Sequence, residues 1–498
     1  MKLLIIALAV TVMITSKRGF ARDAATPAAD EGVTRTGWNI ESRRFMYPPT
    51  FEANPVDSAK VYSITIRSTR GGESSEISGS QPQLDLTSVW DRVAVGGAYD
   101  AFIEARRADG TSLGRTQAFQ FQKVGAFAGP YPPGIRDYAA AGRGGAEYIM
   151  GTLNAWRDSQ APKGAQISYP ALFYSAYIRT LTTYAAMEPG SDQSRDALLI
   201  AANIGQYLID TSTPADWKYA HMPLSHQPGK YLQIGRTAMV GAAYLDLFSA
   251  SHDERFLKVA MQIADTLKEL QLPDGRWYFR VDPKTGDVAE DYTSDQAEAI
   301  DFLDALIEQH GRADLAASRD KAVQWMLTNP VKTRYWQQQW DDAKVYPPYS
   351  NLEFYDTAIF ALHLLHHATP ENHYREIAVD LFRWIEDQFV LWESSLDASF
   401  ITPGVQEQYK YYITIDWHAA HFIRLCQAMH QATGEELYLK KATAMADSLT
   451  RVQNPKGYFA TFMQRLPATQ PGQPGPISFG KLWPNCMSYT AEQLIKSS

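Results

Sequence analysis

The stretch Ala250-Ser-His-Asp-Glu-Arg-Phe-Leu-Lys-Val-Ala-Met-Gln-Ile-Ala-Asp-Thr-Leu267 returns in outline as Ala432-Thr-Gly-Glu-Glu-Leu-Tyr-Leu-Lys-Lys-Ala-Thr-Ala-Met-Ala-Asp-Ser-Leu449. Both copies carry small and apolar residues at helical spacing. Each then runs into a similar exit. Gln271-Leu-Pro-Asp-Gly275 precedes Trp277-Tyr-Phe, and Gln453-Asn-Pro-Lys-Gly457 precedes Tyr458-Phe. The offset, 432 − 250 = 182 residues, holds three units of about 60.

The intervening sequence fits that unit. Helices are expected to open near Pro170, Leu232, Thr293, Asn351 and Thr414, at spacings of 62, 61, 58 and 63. A second helix follows each about twenty residues later, near Asp192, Asp253, Arg312, Asn372 and Glu435. Two helical stretches remain, residues 139–155 and 487–496, at opposite ends of this region. Packed together they supply a sixth pair and close a ring. A lone hairpin cannot bury both faces, whereas a closed ring of hairpins can. The expected architecture is therefore mostly α, an (α/α) toroid of six or alternatively seven hairpins over residues 139–498. The first helix of each pair, richer in small and aromatic residues, is expected inside.

Upstream the period changes to two. Val61-Tyr-Ser-Ile-Thr-Ile-Arg67, Tyr99-Asp-Ala-Phe-Ile-Glu-Ala105 and Gln117-Ala-Phe-Gln-Phe-Gln-Lys123 alternate. Gly71-Gly72, Gly96-Gly97 and Asp109-Gly110 punctuate them. That pattern predicts a small fibronectin- or immunoglobulin-like β-sandwich over residues 36–124. A Gly/Pro linker, residues 125–138, follows. Residues 1–25 read as an export signal: Lys2, an apolar run of about a dozen residues, then the small residues around Ala21. Such a run is too short to span a bilayer, and a secreted or periplasmic location is expected.

Of the 498 residues, 47 are Lys or Arg and 55 are Asp or Glu, a formal charge of −8. A general nucleic-acid binder would more often be basic. Apolar residues make up 45% and aromatics 12%, which suits a packed protein with rings available for sugar faces. The two cysteines, Cys426 and Cys486, can form one bridge or stay as buried thiols, and neither has metal-ligand neighbours.

In a toroid the turns and inner-helix starts share one mouth, and five segments fall there. His221-Met-Pro-Leu-Ser-His226 lies ahead of Arg236, which can meet a carboxylate; a plain surface loop is the alternative. In Thr293-Ser-Asp295-Gln296, Asp295 either faces substrate or only caps a helix. Arg334-Tyr-Trp336-Gln-Gln338-Gln-Trp340 offers rings for stacking and amides for hydroxyls. Asn351-Leu-Glu-Phe-Tyr355-Asp356 crowds more polar groups into one turn than capping needs. Glu407-Gln-Tyr409-Lys410 followed by Asp416-Trp-His418 gathers phenols, carboxylates, a cation and an imidazole. Phosphate loops, His-Glu-x-x-His and Gly-x-Ser-x-Gly are missing, so nucleotide enzymes, zincins and α/β-hydrolases find no support.

Asn329-Pro-Val-Lys, the Trp336 segment, Pro348-Tyr-Ser-Asn-Leu352, Glu386-Asp-Gln-Phe-Val390 and Glu407-Gln-Tyr409 with Ile415-Asp416 resemble bacterial secreted proteins grouped with polysaccharide lyase family 38. The likeness covers roughly residues 293–462. It implies an (α/α) toroid that cleaves uronic-acid polymers such as glucuronan or alginate by β-elimination. Tyr409 would then be the main proton-transfer residue. Tyr355 stands where the family's His is expected, and Gln296 where its Asn is expected; His226 or His418 would supply the imidazole.

Elimination needs the uronate carboxylate neutralised, a base at C5 and an acid for the C4 oxygen. Tyr409 can serve as base beside Lys410. Arg236, Asp295, Gln296, Trp336, Gln338, Asn351, Asp356 and Glu407 complete the expected substrate contacts. This reading requires no cofactor and no metal; its partner is an acidic polysaccharide, with no nucleic acid and no membrane span. The rival is a glycoside hydrolase on the same toroid, drawing two carboxylates from Asp295, Asp356, Glu407 and Asp416. A third reading is a non-catalytic glycan-binding protein.

Overall fold

The computed structural model describes residues 44–72, 74–225, 230–332, 339–340, 354–393, 399–408, 411–470, 473–480 and 482–498. The expected leader over residues 1–25 lies outside them, as do His226, Trp336, Gln338, Asn351, Tyr409 and Lys410.

Eight strands come first: β1 (Arg44–Phe45), β2 (Thr50–Glu52), β3 (Val61–Ser68), β4 (Ser74–Gly79), β5 (Gln83–Asp85), β6 (Ala98–Arg106), β7 (Ser112–Arg115) and β8 (Phe119–Lys123). One sheet runs β1-β8-β6-β3-β4 with β7 also on β6, and β2 pairs β5 separately. Alternation sends Ile64 and Ile66 of β3 and Ala101, Ile103 and Ala105 of β6 to the buried side. Phe51 of the small ribbon meets Phe119 edge-on, ring centres 5.4 Å apart. The layers are thus unequal, six strands against two, around a core separate from the helical one.

Twelve α-helices follow among the described residues. They are α1 (Tyr138–Thr152), α2 (Pro170–Met187), α3 (Asp192–Asp210), α4 (Ile234–Ser251), α5 (Glu254–Leu270), α6 (Gln296–His310), α7 (Ala316–Met326), α8 (Phe354–His366), α9 (Tyr374–Phe389), α10 (Asp416–Thr433), α11 (Glu436–Arg451) and α12 (Pro484–Lys496). Side-by-side packing runs α12–α2–α4–α6–α8–α10 and returns to α12. Those helices bury most of their circumference; residues 354–364 of α8 are all buried. The others lie outside, and α1 packs on α12. At that seam the inner member is the later helix.

The repeated exits explain how outer helices are fastened. Gln271 Nε2 donates to the Gly275 and Ser318 carbonyls, both at 2.8 Å, tying its own turn to α7. Gln453 Nε2 does the same to Gly457 and Ala141, both at 2.7 Å, tying its turn to α1. Gly275 and Gly457 hold φ of 102° and 101°, and a Cβ on either would strike the backbone of the next outer helix.

The strand unit docks on the end of α9. Tyr47 Oη donates to Glu386 Oε2 (2.6 Å), and the Tyr47 N–H to Asp387 Oδ1 (2.9 Å). Glu386 also receives Lys441 Nζ (2.7 Å) and Trp392 Nε1 (2.8 Å). This buried carboxylate therefore has three donors, which offset its desolvation. Glu386-Asp-Gln, one of the stretches behind the family likeness, thus serves architecture. No disulfide joins Cys426 and Cys486; both are buried. Among the described residues no helix is long and apolar enough to cross a membrane.

Candidate functional site

Short strands deliver the chain to the inner-helix starts. β9 (Leu232–Gln233), β10 (Tyr278–Val281), β11 (Val288–Ser294) and β12 (Gln339–Trp340) form one sheet, in the order β12-β11-β10-β9. β13 (Val390–Leu391), β14 (Gly404–Gln408) and β15 (Tyr411–Thr414) form another. β9 runs straight into α4, β11 leads through Asp295 into α6, and β15 leads through Ile415 into α10. Arg236, Asp295, Asp356 and Asp416 thereby stand at the starts of four inner helices. The carboxylates are 356 − 295 = 61 and 416 − 356 = 60 residues apart, the period of the repeat.

Asp295 occupies the N-cap position of α6, yet its side chain makes no capping bond. Asp356 supplies that bond from the next inner helix: its Oδ1 accepts the Ala297 N–H at 2.7 Å. Asp295 turns the other way. Its Oδ1 accepts the Ser294 hydroxyl at 2.8 Å, while Ser294 Oγ accepts the Gly235 N–H at 3.0 Å. Any Cβ on Gly235 would overlap the Asp295 carboxylate. The lack of a side chain at residue 235 is what lets α4 approach.

Oδ2 of both aspartates is buried and accepts no hydrogen bond. Burial pushes Asp295 up to about 7, against the pull of Arg236. Burial and then the Asp295 charge push Asp356 well above the carboxylate range. Helix N-termini favour ionised carboxylates, but desolvation wins here. Asp416 repeats the theme: Oδ1 accepts the Trp417 N–H (2.9 Å), Oδ2 is unpartnered, and burial raises it to about 8. His418 is buried with Nδ1 unpartnered, its ring centre 5.0 Å from Phe354, and burial drives it down to about 3. It is a neutral imidazole.

Two of the expected residues have defined partners inside the protein. Tyr355 is buried among Trp417 and His421, 4.7 and 4.8 Å between ring centres, and donates to Glu298, whose charge is one of those that raise Asp295 and Asp356. Burial raises its phenol well above the usual value, the wrong direction for a base. Gln296 is spent on the backbone: Oε1 accepts the Trp277 N–H (3.2 Å) and Nε2 donates to the Ser294 carbonyl (2.7 Å). Arg236 is buried beside Asp295, with Nη1 3.1 Å from Met239 Sδ. Glu407 is described by its backbone alone, in β14. The sequence reading did not single out Gly235 or Glu298; polar residues at the helix starts pointed to Asp295, Asp356 and Asp416, and their 61- and 60-residue spacing is a second signal for the same group. A hollow of about 510 Å³ lined by Tyr207, Trp217 and Leu224 shares no lining residue with it.

No family model matches the chain, and no curated protein does. Solved structures do. A family 76 glycoside hydrolase from a bovine Bacteroides thetaiotaomicron strain is similar at 11% identity and TM-score 0.52, over 93% of this chain and 98% of that one. A sugar epimerase from a ruminal bacterium reaches TM-score 0.53 at 13% identity, over 72% and 98%. A family 76 α-mannanase of Bacteroides thetaiotaomicron reaches 0.51 at 14% identity, over 73% and 96%. At such identities the likeness is one of fold: an (α/α) toroid used by carbohydrate-active enzymes.

Proposed function

We propose that the protein is a glycoside hydrolase acting on a polysaccharide at the mouth of a toroid of six hairpins, preceded by a strand domain. The observation that carries this is the Asp295–Asp356 pair: two buried carboxyls on adjacent inner helices, each with one unpartnered oxygen, one beside Arg236 and the other capping the neighbouring helix. Unequal environments sort two carboxyls into roles. Asp356, which burial and the neighbouring Asp295 charge push well above the carboxylate range, is the proton donor to the leaving oxygen. Asp295, with the Arg236 cation beside it, is the base or nucleophile. Arg236 favours its ionised form. The solved neighbours described as glycoside hydrolases support the same reading by fold.

A second reading keeps the family likeness: a secreted lyase that opens a uronic-acid polymer such as glucuronan or alginate. His418 favours it, as a neutral imidazole with an unpartnered nitrogen. Tyr409 is its proton-transfer residue and Lys410 the neighbouring cation.

One experiment separates the two. The purified protein is incubated with neutral mannans and with acidic glucuronan and alginate. Hydrolysis releases reducing ends with no rise near 235 nm, whereas elimination gives an unsaturated uronate that absorbs there. New reducing ends, lost in Asp356→Asn, are the expected result. Absorbance at 235 nm lost in Tyr409→Phe would replace it with the lyase.

A further inference from the structure

Farther along two of the inner helices lies a second cluster. α6 presents Asp304 and, one turn on, Glu308. The end of α8 presents His363 and His366, followed by His367. Asp304 is nine residues beyond Asp295, so about 13 Å separates the two groups along the helix. His363 Nδ1 and His367 Nε2 both lie 2.8 Å from the same oxygen, Asp304 Oδ2. One donor atom from each of the three residues falls within 4.8 Å of the others.

Hydrogen bonding alone accounts poorly for this arrangement. His363 is 4% exposed, and its Nδ1, although close to Asp304, makes no hydrogen bond. A buried nitrogen aimed beside an oxygen rather than along a hydrogen-bond line suits a shared cation. Arg319 takes the other oxygen, Asp304 Oδ1, fixing the carboxylate and leaving Oδ2 to the histidines.

We propose that Asp304, His363 and His367 form a Zn²⁺ site. Two imidazoles and one carboxylate suit a borderline ion, and bonds of about 2.0–2.1 Å set tetrahedral ligands roughly 3.3 Å apart. The two distances to Asp304 Oδ2, 2.8 Å each, need to open by about half an ångström to reach that spacing. Glu308 Oε1 lies 4.0 Å from His367 Nε2 and itself pairs with His366 at 3.1 Å, so a further carboxylate stands near the cluster. His367 is 26% exposed, which gives an ion a way in.

The test uses the full chain, stripped with a chelator and titrated with Zn²⁺ by calorimetry, then with Co²⁺ by visible absorption. One equivalent of Zn²⁺ with micromolar or tighter affinity is expected, and Co²⁺ should give the intense bands of a tetrahedral site. His367→Gln, at a part-exposed position, should keep the native circular dichroism and weaken Zn²⁺ binding at least tenfold. His363→Gln should do the same, but it is buried and serves only if it folds. Absence of stoichiometric Zn²⁺ binding, or binding unchanged in His367→Gln, overturns the proposal and leaves a hydrogen-bonded pin between two helices. The readout is independent of any activity on glycans.

Discussion

The carboxylate of Asp356 caps the helix that Asp295 begins, accepting the Ala297 N–H at 2.7 Å from across the helix–helix boundary. One side chain therefore both fastens α8 to α6 and holds its second oxygen beside Asp295. Structural and chemical roles can be separated by substitution.

Asp356→Asn keeps an oxygen for the Ala297 N–H but cannot donate an acidic proton. Glycan hydrolysis should fall by about 10²–10⁴-fold, the usual span for acid–base groups, with a small change in stability. Asp356→Ala should also lose the cap, typically about 1 kcal/mol. Rates on the best polymer from the panel, together with urea unfolding, check both.

The raised aspartates make stability depend on pH in a set direction. Free Asp ionises near about 4, whereas Asp295 and Asp416 hold their protons to about 7 and about 8. Between those limits the folded chain binds more protons than the unfolded chain, so stability falls as pH rises. Each group contributes a slope of up to about 1.4 kcal/mol per pH unit, ending above pH 8. Unfolding free energies at pH 5, 6.5 and 8 should decline, and Asp416→Asn should flatten the decline. Activity moves the opposite way: it should rise through about pH 7 as Asp295 ionises, and a rate falling there would reverse the assigned roles.

Gly235→Ala tests how closely α4 must approach. The added methyl displaces the Asp295 carboxylate or the start of the helix, so overpacking of about 1–3 kcal/mol is expected. The turnover rate should fall more than binding, because the displaced group reacts rather than binds. Steady-state kinetics of the variant give that split.

Glu386→Ala removes the acceptor shared by Tyr47, Trp392 and Lys441 and strands a buried ammonium. A loss of about 3–5 kcal/mol is expected. Adding Lys441→Met should recover much of it. Urea unfolding of the two single variants and the double variant supplies the cycle.

The ring was legible because a 182-residue offset and an exit motif return intact; Gln271 and Gln453 make the same two bonds at both places. The strand unit was legible from alternation, although its unequal layers were not, since β2 and β5 are three residues each. The site was half legible. Asp295 and Asp356 carry no local signature beyond a polar helix start, and which way a cap residue turns depends on its neighbour, Gly235. The partner of Tyr355, Glu298, lies 57 residues away in sequence, so no local motif could name it. Of the Asp304 cluster, the pair His363 and His367 has a linear signal, four residues apart on one helix face, but its carboxylate lies 363 − 304 = 59 residues upstream and needs the fold to bring it in.

The seam between α1 and α12 bears on how the molecule assembles. Five hairpins can stack in the order of synthesis, each against the last, through contacts local in sequence. The ring shuts only when α12 wedges between α10 and α2, joining stretches some three hundred residues apart. That step is entropically expensive and late, because long loops must close before any contact rewards them. Until it occurs, the apolar flanks of α2 and α10 lie open, and a growing chain carries two unsealed edges. Linking α12 directly ahead of α1 would move that seam rather than abolish it: the packing of α12 on α2 would become local, and the ring would shut last where α10 meets α12.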